Sequence, residues 1–302
     1  MDTPYSTTGT REAFAPRVAP SFLDRLPLYT YLGLALNILA WISSWARIGP
    51  WNHTFFPLWF GFILLLDGLN VARRGTSPLA RGPLRFAALF LFSSPFWWIF
   101  EALNSPAQNW HYRLDGTYSG LTYNILASIS FSTVLPAVME MTELLASFKI
   151  LRPRLAPPTV GPRLSRRAAG LSIAAGLVMA ALPLAFPRYA YPLIWGCLIL
   201  ILDPINNRAG RKSAFGHLLA RDWRFLVVLP LATLCCGFFW EMWNYYALPQ
   251  WFYTTPFVDA APHLFEMPLP GFIGYLPFGV ELFAMYQFAL LVLGRRKDAL
   301  SF

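Results

Sequence analysis

Two stretches place a carboxylate and an amide three residues apart inside runs that are otherwise apolar: Trp98-Ile99-Phe100-Glu101-Ala102-Leu103-Asn104 and Phe239-Trp240-Glu241-Met242-Trp243-Asn244. Each is followed by a Trp-x-Tyr element, Trp110-His111-Tyr112 and Trp251-Phe252-Tyr253. On a helix, i, i+3 spacing puts acid and amide on one face, so the amide can hold the carboxyl in one orientation. A neutral carboxylic acid there can donate a proton and an ionised one can remove it, while aromatic faces beside it stabilise a passing carbocation. The competing reading makes Asn104 and Asn244 helix-end caps and the aromatics a membrane-interface belt.

Two further acid motifs recur. Asp67-Gly68-Leu69-Asn70 and Asp203-Pro204-Ile205-Asn206 share the pattern DxxN, with Asp67, Asn70, Asp203 and Asn206 either supporting the site or serving architecture alone. Leu135-Pro136-Ala137-Val138-Met139-Glu140 and Leu276-Pro277-Phe278-Gly279-Val280-Glu281 share a proline four residues ahead of a glutamate, and Glu143 lies one turn beyond Glu140. An acid at mid-bilayer costs on the order of 3 kcal/mol even on lenient insertion scales, so such residues turn toward a bundle interior. Glu140 and Glu281, deepest in their runs, are expected to be neutral or hydrogen-bonded. Asp67 and Asp203 lie near one set of helix ends and Glu101 and Glu241 near the other.

The elements that must position these residues are membrane helices. A chain of 302 residues that is 56% hydrophobic, 17% aromatic and 13% charged is too apolar for a soluble domain. About eight apolar runs are long enough to cross the hydrocarbon, near 27–47, 54–72, 84–104, 122–148, 168–186, 189–206, 223–246 and 272–294. The net charge of +9 comes from clusters between alternate runs, including Arg11, Arg17, Arg73, Arg74, the segment 149–167, the segment 208–224 and 295–297. This is the positive-inside pattern of an inner-membrane protein with both termini cytoplasmic, and it argues against a nucleic-acid partner.

The three motif pairs occur in the same order at an offset of 136–141 residues, which predicts a duplicated all-α polytopic protein. Its expected parts are a cytoplasmic tail 1–25, a four-helix repeat 26–149, a basic proline-rich linker 150–167, a second four-helix repeat 168–297 and a short cytoplasmic C-terminus 298–302. An even number of spans per repeat gives both the same topology, related by a pseudo-twofold along the membrane normal.

Several chemistries find no footing. Residues 1–25 lack the compact apolar region and cleavage site of a secretory signal. Cys197, Cys235 and Cys236 fall inside apolar runs, as packing residues do. His53, His111, His217 and His263 stand singly without a second ligand at metal spacing, so no metal or cofactor is expected. Lys149, Lys212 and Lys297 all lie at or beyond helix ends, which excludes a mid-helix Schiff base.

The half-repeat, a span ending in an acid and an amide, then Trp-x-Tyr, then a span opening with proline ahead of glutamate, resembles the small integral-membrane lycopene cyclase domain of bacterial and fungal carotenoid pathways. The resemblance covers roughly residues 84–148 and 223–294. It departs from that family in having glutamate at positions 101 and 241, PxxxE rather than PxEE, and an additional DxxN hairpin in each half. It implies redox-neutral acid-base chemistry on a polyene without metal or diphosphate, with Glu101, Glu140, Glu241 and Glu281 as the pool of catalytic acid and base. Trp98, Asn104, Trp110, Tyr112, Trp240, Trp243, Asn244, Trp251 and Tyr253 would then bind a hydrophobic isoprenoid or lipid-like substrate. Staggered intramembrane acids in duplicated halves also fit a proton-coupled or small-solute transporter. Acids paired for structure fit a non-catalytic membrane subunit or assembly factor. Membrane lipid is a partner on every reading, and an oligomer or a membrane partner subunit stays open.

Overall fold

The computed structural model describes residues 21–153, 161–295 and 299–300. The rest of the expected tail, linker and C-terminus, including Arg11, Arg17, Pro157, Pro158 and Lys297, lies outside the described residues. The helices are α1 (Leu28–Ala46), α2 (Phe55–Arg74), α3 (Pro78–Arg81), α4 (Pro83–Ala107), α5 (Gly120–Phe131), α6 (Val134–Ala146), α7 (Arg166–Ala185), α8 (Pro187–Ala190), α9 (Cys197–Arg208), α10 (Ala214–Leu219), α11 (Phe225–Asn244) and α12 (Tyr275–Val292). Four short strands complete it: β1 (Trp110–Arg113), β2 (Gln250–Tyr253), β3 (His263–Leu264) and β4 (Met267–Pro268). Among the described residues, seven helical segments are long and apolar enough to cross a membrane: α2, α4, α5 with α6, α7, α8 through α9, α11, and Leu269 through α12. The protein is therefore an all-α, multi-pass membrane protein. The expected span over 27–47, α1, is a helix of 19 residues that is not among the seven, its buried face carrying Thr30, Asn37 and Ser44.

Two of the expected runs are interrupted for local reasons. The run 122–148 breaks at Ser132-Thr133 between α5 and α6, and Pro136 then sits in the first turn of α6, where its missing N–H removes no helical bond. Ser93 of α4 fills the break, since its hydroxyl donates to the Phe131 carbonyl at 2.5 Å and accepts from Leu135 N–H at 2.9 Å. The run 189–206 is likewise divided, by a tight turn at Tyr191–Trp195, before α9 begins.

Packing follows the same plan in the two groups of helices. α1 lies along α2 and α7 along α9; α6 packs on α2 and α4, and α12 packs on α9 and α11. The groups meet mainly where α6 contacts α11, and buried Trp59, Phe100, Leu135, Leu229, Trp240 and Phe278 belong to one continuous core. At the α1–α2 crossing a Cβ on Gly61 would stand 2.6 Å from the Gly33 carbonyl oxygen and 2.7 Å from the Asn37 backbone nitrogen. Small residues allow such close backbone approach between membrane helices. Gly61→Leu is accordingly expected to destabilise the protein by about 1–3 kcal/mol through forced separation of α1 and α2, read as a lowered unfolding midpoint in detergent.

At the arginine-rich end, His217 of α10 stacks on Phe225 with ring centroids 3.8 Å apart and meets the Asp222 carboxylate through Nδ1 at 3.1 Å. Burial lowers His217 below the ordinary histidine value of 6.5, outweighing the opposing pull of Asp222, and Lys212 pushes the same way as burial. Because the folded form binds the proton less readily than the unfolded form, stability falls as pH drops below about 6.5 and is unaffected above it. His217→Gln is expected to remove this acid-side slope in unfolding midpoints measured between about pH 5 and 7.5.

The connections at the opposite end contain a two-stranded ribbon that the expected spans do not include. β1 and β2 pair antiparallel in the register Trp110 with Tyr253, His111 with Phe252, Tyr112 with Trp251 and Arg113 with Gln250. The two Trp-x-Tyr elements thus face each other, with their central residues directly paired.

Candidate functional site

The i, i+3 amides do not hold the acids beside them. Asn104 accepts from the Asn109 N–H at 2.8 Å and donates to the Trp110 carbonyl at 2.9 Å. Asn244 accepts from the Trp251 N–H at 2.9 Å and donates to the Trp251 carbonyl at 2.7 Å. Each amide pins the strand that follows its helix, so its effect on the neighbouring carboxyl passes through the strand. The reason is local: the chain leaves each helix end with unpaired backbone groups, and a side chain one turn back is the nearest partner for them.

The strands, together with α4 and α12, deliver a set of aromatic donors to the acids. Glu101 Oε1 accepts from the Trp97 indole at 2.8 Å, the Trp110 indole at 3.0 Å and the Tyr112 hydroxyl at 2.5 Å. Glu241 Oε1 accepts from Tyr253 and Tyr275 hydroxyls, both at 2.6 Å, and the Trp251 indole donates to the Tyr253 oxygen at 2.9 Å. Glu241 is fully buried, and its Oε2 has no hydrogen-bond partner among the described residues.

These donors form a wall. A cavity of about 530 Å³ lies between the two helix groups beneath the β1–β2 ribbon, lined among others by Trp97, Trp110, Tyr112, Trp251, Tyr253 and Tyr275. Trp195, Trp240 and Phe278 add further aromatic surface, and α5 contributes Leu126, Ala127 and Ile129. Neither Glu101 nor Glu241 lines this cavity itself; each stands directly behind the aromatic groups that do. Glu101 is also reached from a separate recess shared with Trp98.

The other acids are used differently. Asp203 accepts from Ala214 and Phe215 N–H groups at 2.9 and 2.8 Å, and Asp67 accepts from Leu79 N–H at 3.0 Å, so the DxxN acids cap the first turns of α10 and α3. Glu281 Oε1 accepts from Leu198 N–H at 3.1 Å, at the start of α9. All three satisfy N–H groups that a helix cannot satisfy for itself. Glu140 accepts from the Asn70 amide at 2.8 Å and lies beside Asp67, whose other oxygen accepts from the Tyr29 hydroxyl at 2.5 Å. Asn206 donates to the Ala284 carbonyl at 2.8 Å. Glu140 and Glu281 do not line the cavity, although Pro277 and Phe278, the start of the second LPxxxE motif, do.

Of the expected binding residues, Trp110, Tyr112, Trp240, Trp251 and Tyr253 line the cavity. Trp98 instead donates its indole N–H to Ser128 at 2.9 Å, and Trp243 packs among Trp59, Phe62 and Phe239. Sequence reasoning missed Trp97, Trp195, Tyr275 and Asn109. Tyr275 directly precedes the second LPxxxE motif, and Trp195 lies in the apolar run 189–206 that carries the second DxxN, so both stood near a signal. Among the described residues no group of histidine, cysteine, aspartate and glutamate is placed to hold a metal ion.

Searches of this chain against protein-family models, curated proteins and solved structures find no match. Fold and site define a multi-pass helical membrane protein with an aromatic cavity backed by two carboxylates.

Proposed function

We propose that this protein binds a lipophilic isoprenoid or polyene in the cavity between its helix groups and transforms it by redox-neutral acid-base chemistry. The observation that carries the reading is the pairing of two carboxylates, half-buried Glu101 and buried Glu241, with phenol and indole groups that form the cavity wall. A cavity of this size, mostly apolar with a few fixed polar groups, suits one small lipophilic molecule.

In the proposed reaction one carboxyl-phenol pair acts as acid. The phenol oxygen gives its proton to an alkene carbon and receives the carboxyl proton in return, forming a C–H bond and leaving a carbocation. The cation closes onto a neighbouring double bond within the aromatic wall, and the second pair removes a proton to restore an alkene. One proton enters and one leaves, so the product is an isomer of the substrate. The resemblance to membrane lycopene cyclases motivates the choice of reaction, with the acid and base narrowed to Glu101 and Glu241.

The proposal includes the duplicated architecture, with the β1–β2 ribbon on the pseudo-twofold, and an inner-membrane orientation with both termini and the arginine-rich end cytoplasmic. The helix-capping bonds of Asp67, Asp203 and Glu281 favour a structural role for those acids, without extending it to Glu101 and Glu241.

The test is incubation of purified protein in lipid nanodiscs with lycopene and related polyenes, including oxygenated ones, followed by chromatography and mass spectrometry. A cyclised or isomerised product of unchanged mass supports the reading. Unchanged polyene throughout, with the same co-purified lipid in wild type, Glu101→Gln and Glu241→Gln, overturns it. Uptake of a solute driven by a pH gradient in liposomes, abolished by Glu241→Gln, would replace it with transport.

A further inference from the structure

We infer that the recess beside Glu101 binds the ammonium group of a membrane lipid headgroup, of ethanolamine or choline type. The recess lies at the end of the molecule opposite the arginines, between the last turns of α4, β1 and the start of α5, and Trp98, Trp110, Tyr112 and Tyr123 line it together with Glu101. The two oxygens of half-buried Glu101 are used unequally. Oε1 accepts from the indoles of Trp97 and Trp110 and from the Tyr112 hydroxyl, three neutral donors. Oε2 accepts no hydrogen bond within the described residues and, unlike Oε2 of Glu241, is not shut off from solvent. Among the described residues no lysine or arginine lines the recess, so the carboxylate has no countercharge there. His111, also in the wall, is engaged with the Thr254 hydroxyl at 2.8 Å.

A carboxylate among aromatic rings, with no cationic side chain beside it, is the arrangement that holds an organic ammonium: the acid meets the charge and the rings take its N–H or methyl groups. The second acid motif shows the same place closed. Phe238 and Tyr245 stand three before and four after Glu241, as Trp98 and Ser105 stand to Glu101. Phe265, in the turn between β3 and β4, packs on both, with ring centroids 5.6 Å from Phe238 and 5.8 Å from Tyr245. Around Glu101 the equivalent space is left as the open recess, with serine at position 105 in place of an aromatic ring. A lipid is the fitting source of the ammonium because the recess continues into lipid-facing surface. Ile99 of α4 and Ile125 and Ile129 of α5 are exposed and lie deeper along the same two helices, where acyl chains would run below a headgroup held at the boundary. A headgroup without an ammonium brings only its phosphate to the carboxylate and is repelled.

Nanodiscs of equal parts phosphatidylethanolamine and phosphatidylglycerol with the same acyl chains test this, the lipids retained on the released protein being counted by native mass spectrometry. Wild type is expected to retain the ethanolamine lipid over the glycerol lipid by about tenfold, the worth of one ammonium held by rings and a carboxylate. Glu101→Gln and Trp98→Leu are each expected to bring that ratio to within about twofold. Ala102→Phe, at an exposed position of the recess, fills the space without altering the carboxylate and carries the same expectation should either variant fail to fold. Equal retention of the two lipids by wild type, or a preference that survives both Glu101→Gln and Ala102→Phe, overturns the assignment. Choline chloride bound by wild type and not by Glu101→Gln, with no preference between the lipids, would give the recess to a soluble cation and overturn the lipid. The readout is bound lipid, so each result leaves the polyene reaction to its own test.

Discussion

Glu241→Gln is expected to lower turnover by about 10²–10⁴-fold, the range lost when a positioned general acid or base is removed, while leaving the folded protein in place. Glutamine is nearly isosteric and its Oε1 can still accept from Tyr253 and Tyr275, whose hydroxyls reach Glu241 at 2.6 Å. What it cannot do is exchange a proton with those phenols. The wall, the cavity and the packing of Trp240 against Trp59, at a centroid distance of 5.0 Å, are therefore retained while the chemistry is lost. Initial rates and unfolding midpoints, measured on the same nanodisc preparations, separate the two effects. A rate within about threefold of wild type at unchanged stability would remove Glu241 from the mechanism, since such a difference is far below the general-acid range.

The largest effect on stability is expected at an acid that plays no part in that chemistry. Glu143 of α6 is fully buried and takes both Arg74 and Arg81 as ion-pair partners. Arg81 in turn donates to the Ala299 carbonyl at 2.6 Å, so this one carboxylate ties α6 to the end of α2, to α3 and to the chain near its C-terminus. Glu143→Ala leaves two largely buried guanidinium groups without their countercharge, which costs about 3–5 kcal/mol when one partner of a buried pair is removed. A large fall in the unfolding midpoint is the expected outcome, with a smaller but still clear fall for Glu143→Gln, which keeps a hydrogen-bond acceptor but not the charge. Equal, minor losses for both variants would show the arginines to be satisfied without Glu143.

Helical spans and their order were legible because bilayer thickness sets a length that composition alone reveals. The ends of α2, α4, α7 and α11 lie within a few residues of the charge and proline boundaries that marked them. The acids were legible too, since a carboxylate in an apolar run stands out whatever it does. Their partners were not. Asn104 and Asn244 sit three residues from Glu101 and Glu241, yet bond the strands instead, because unpaired backbone at a helix end competes for the same amide. Glu281 caps a helix through Leu198, 83 residues earlier in the chain, and Asp203 caps the helix that follows its own, and sequence spacing within one helix carries no trace of either contact. The β1–β2 ribbon was hidden for a related reason: its partners are about 140 residues apart, without the tight turn that announces a hairpin. Asn109 gave no signal either, since a polar residue in a connection becomes informative only when its burial is known.

The central claim, that the space between the helix groups is a binding cavity for a lipophilic molecule, is tested most directly by an experimental density map of the protein in lipid incubated with polyene. The expected result is elongated density against Trp97, Trp195 and Trp240, with the carboxyl-phenol pairs of Glu101 and Glu241 on its flanks. A file of water running from this space to Asp67 and Glu140, or side chains closing the space altogether, would contradict it.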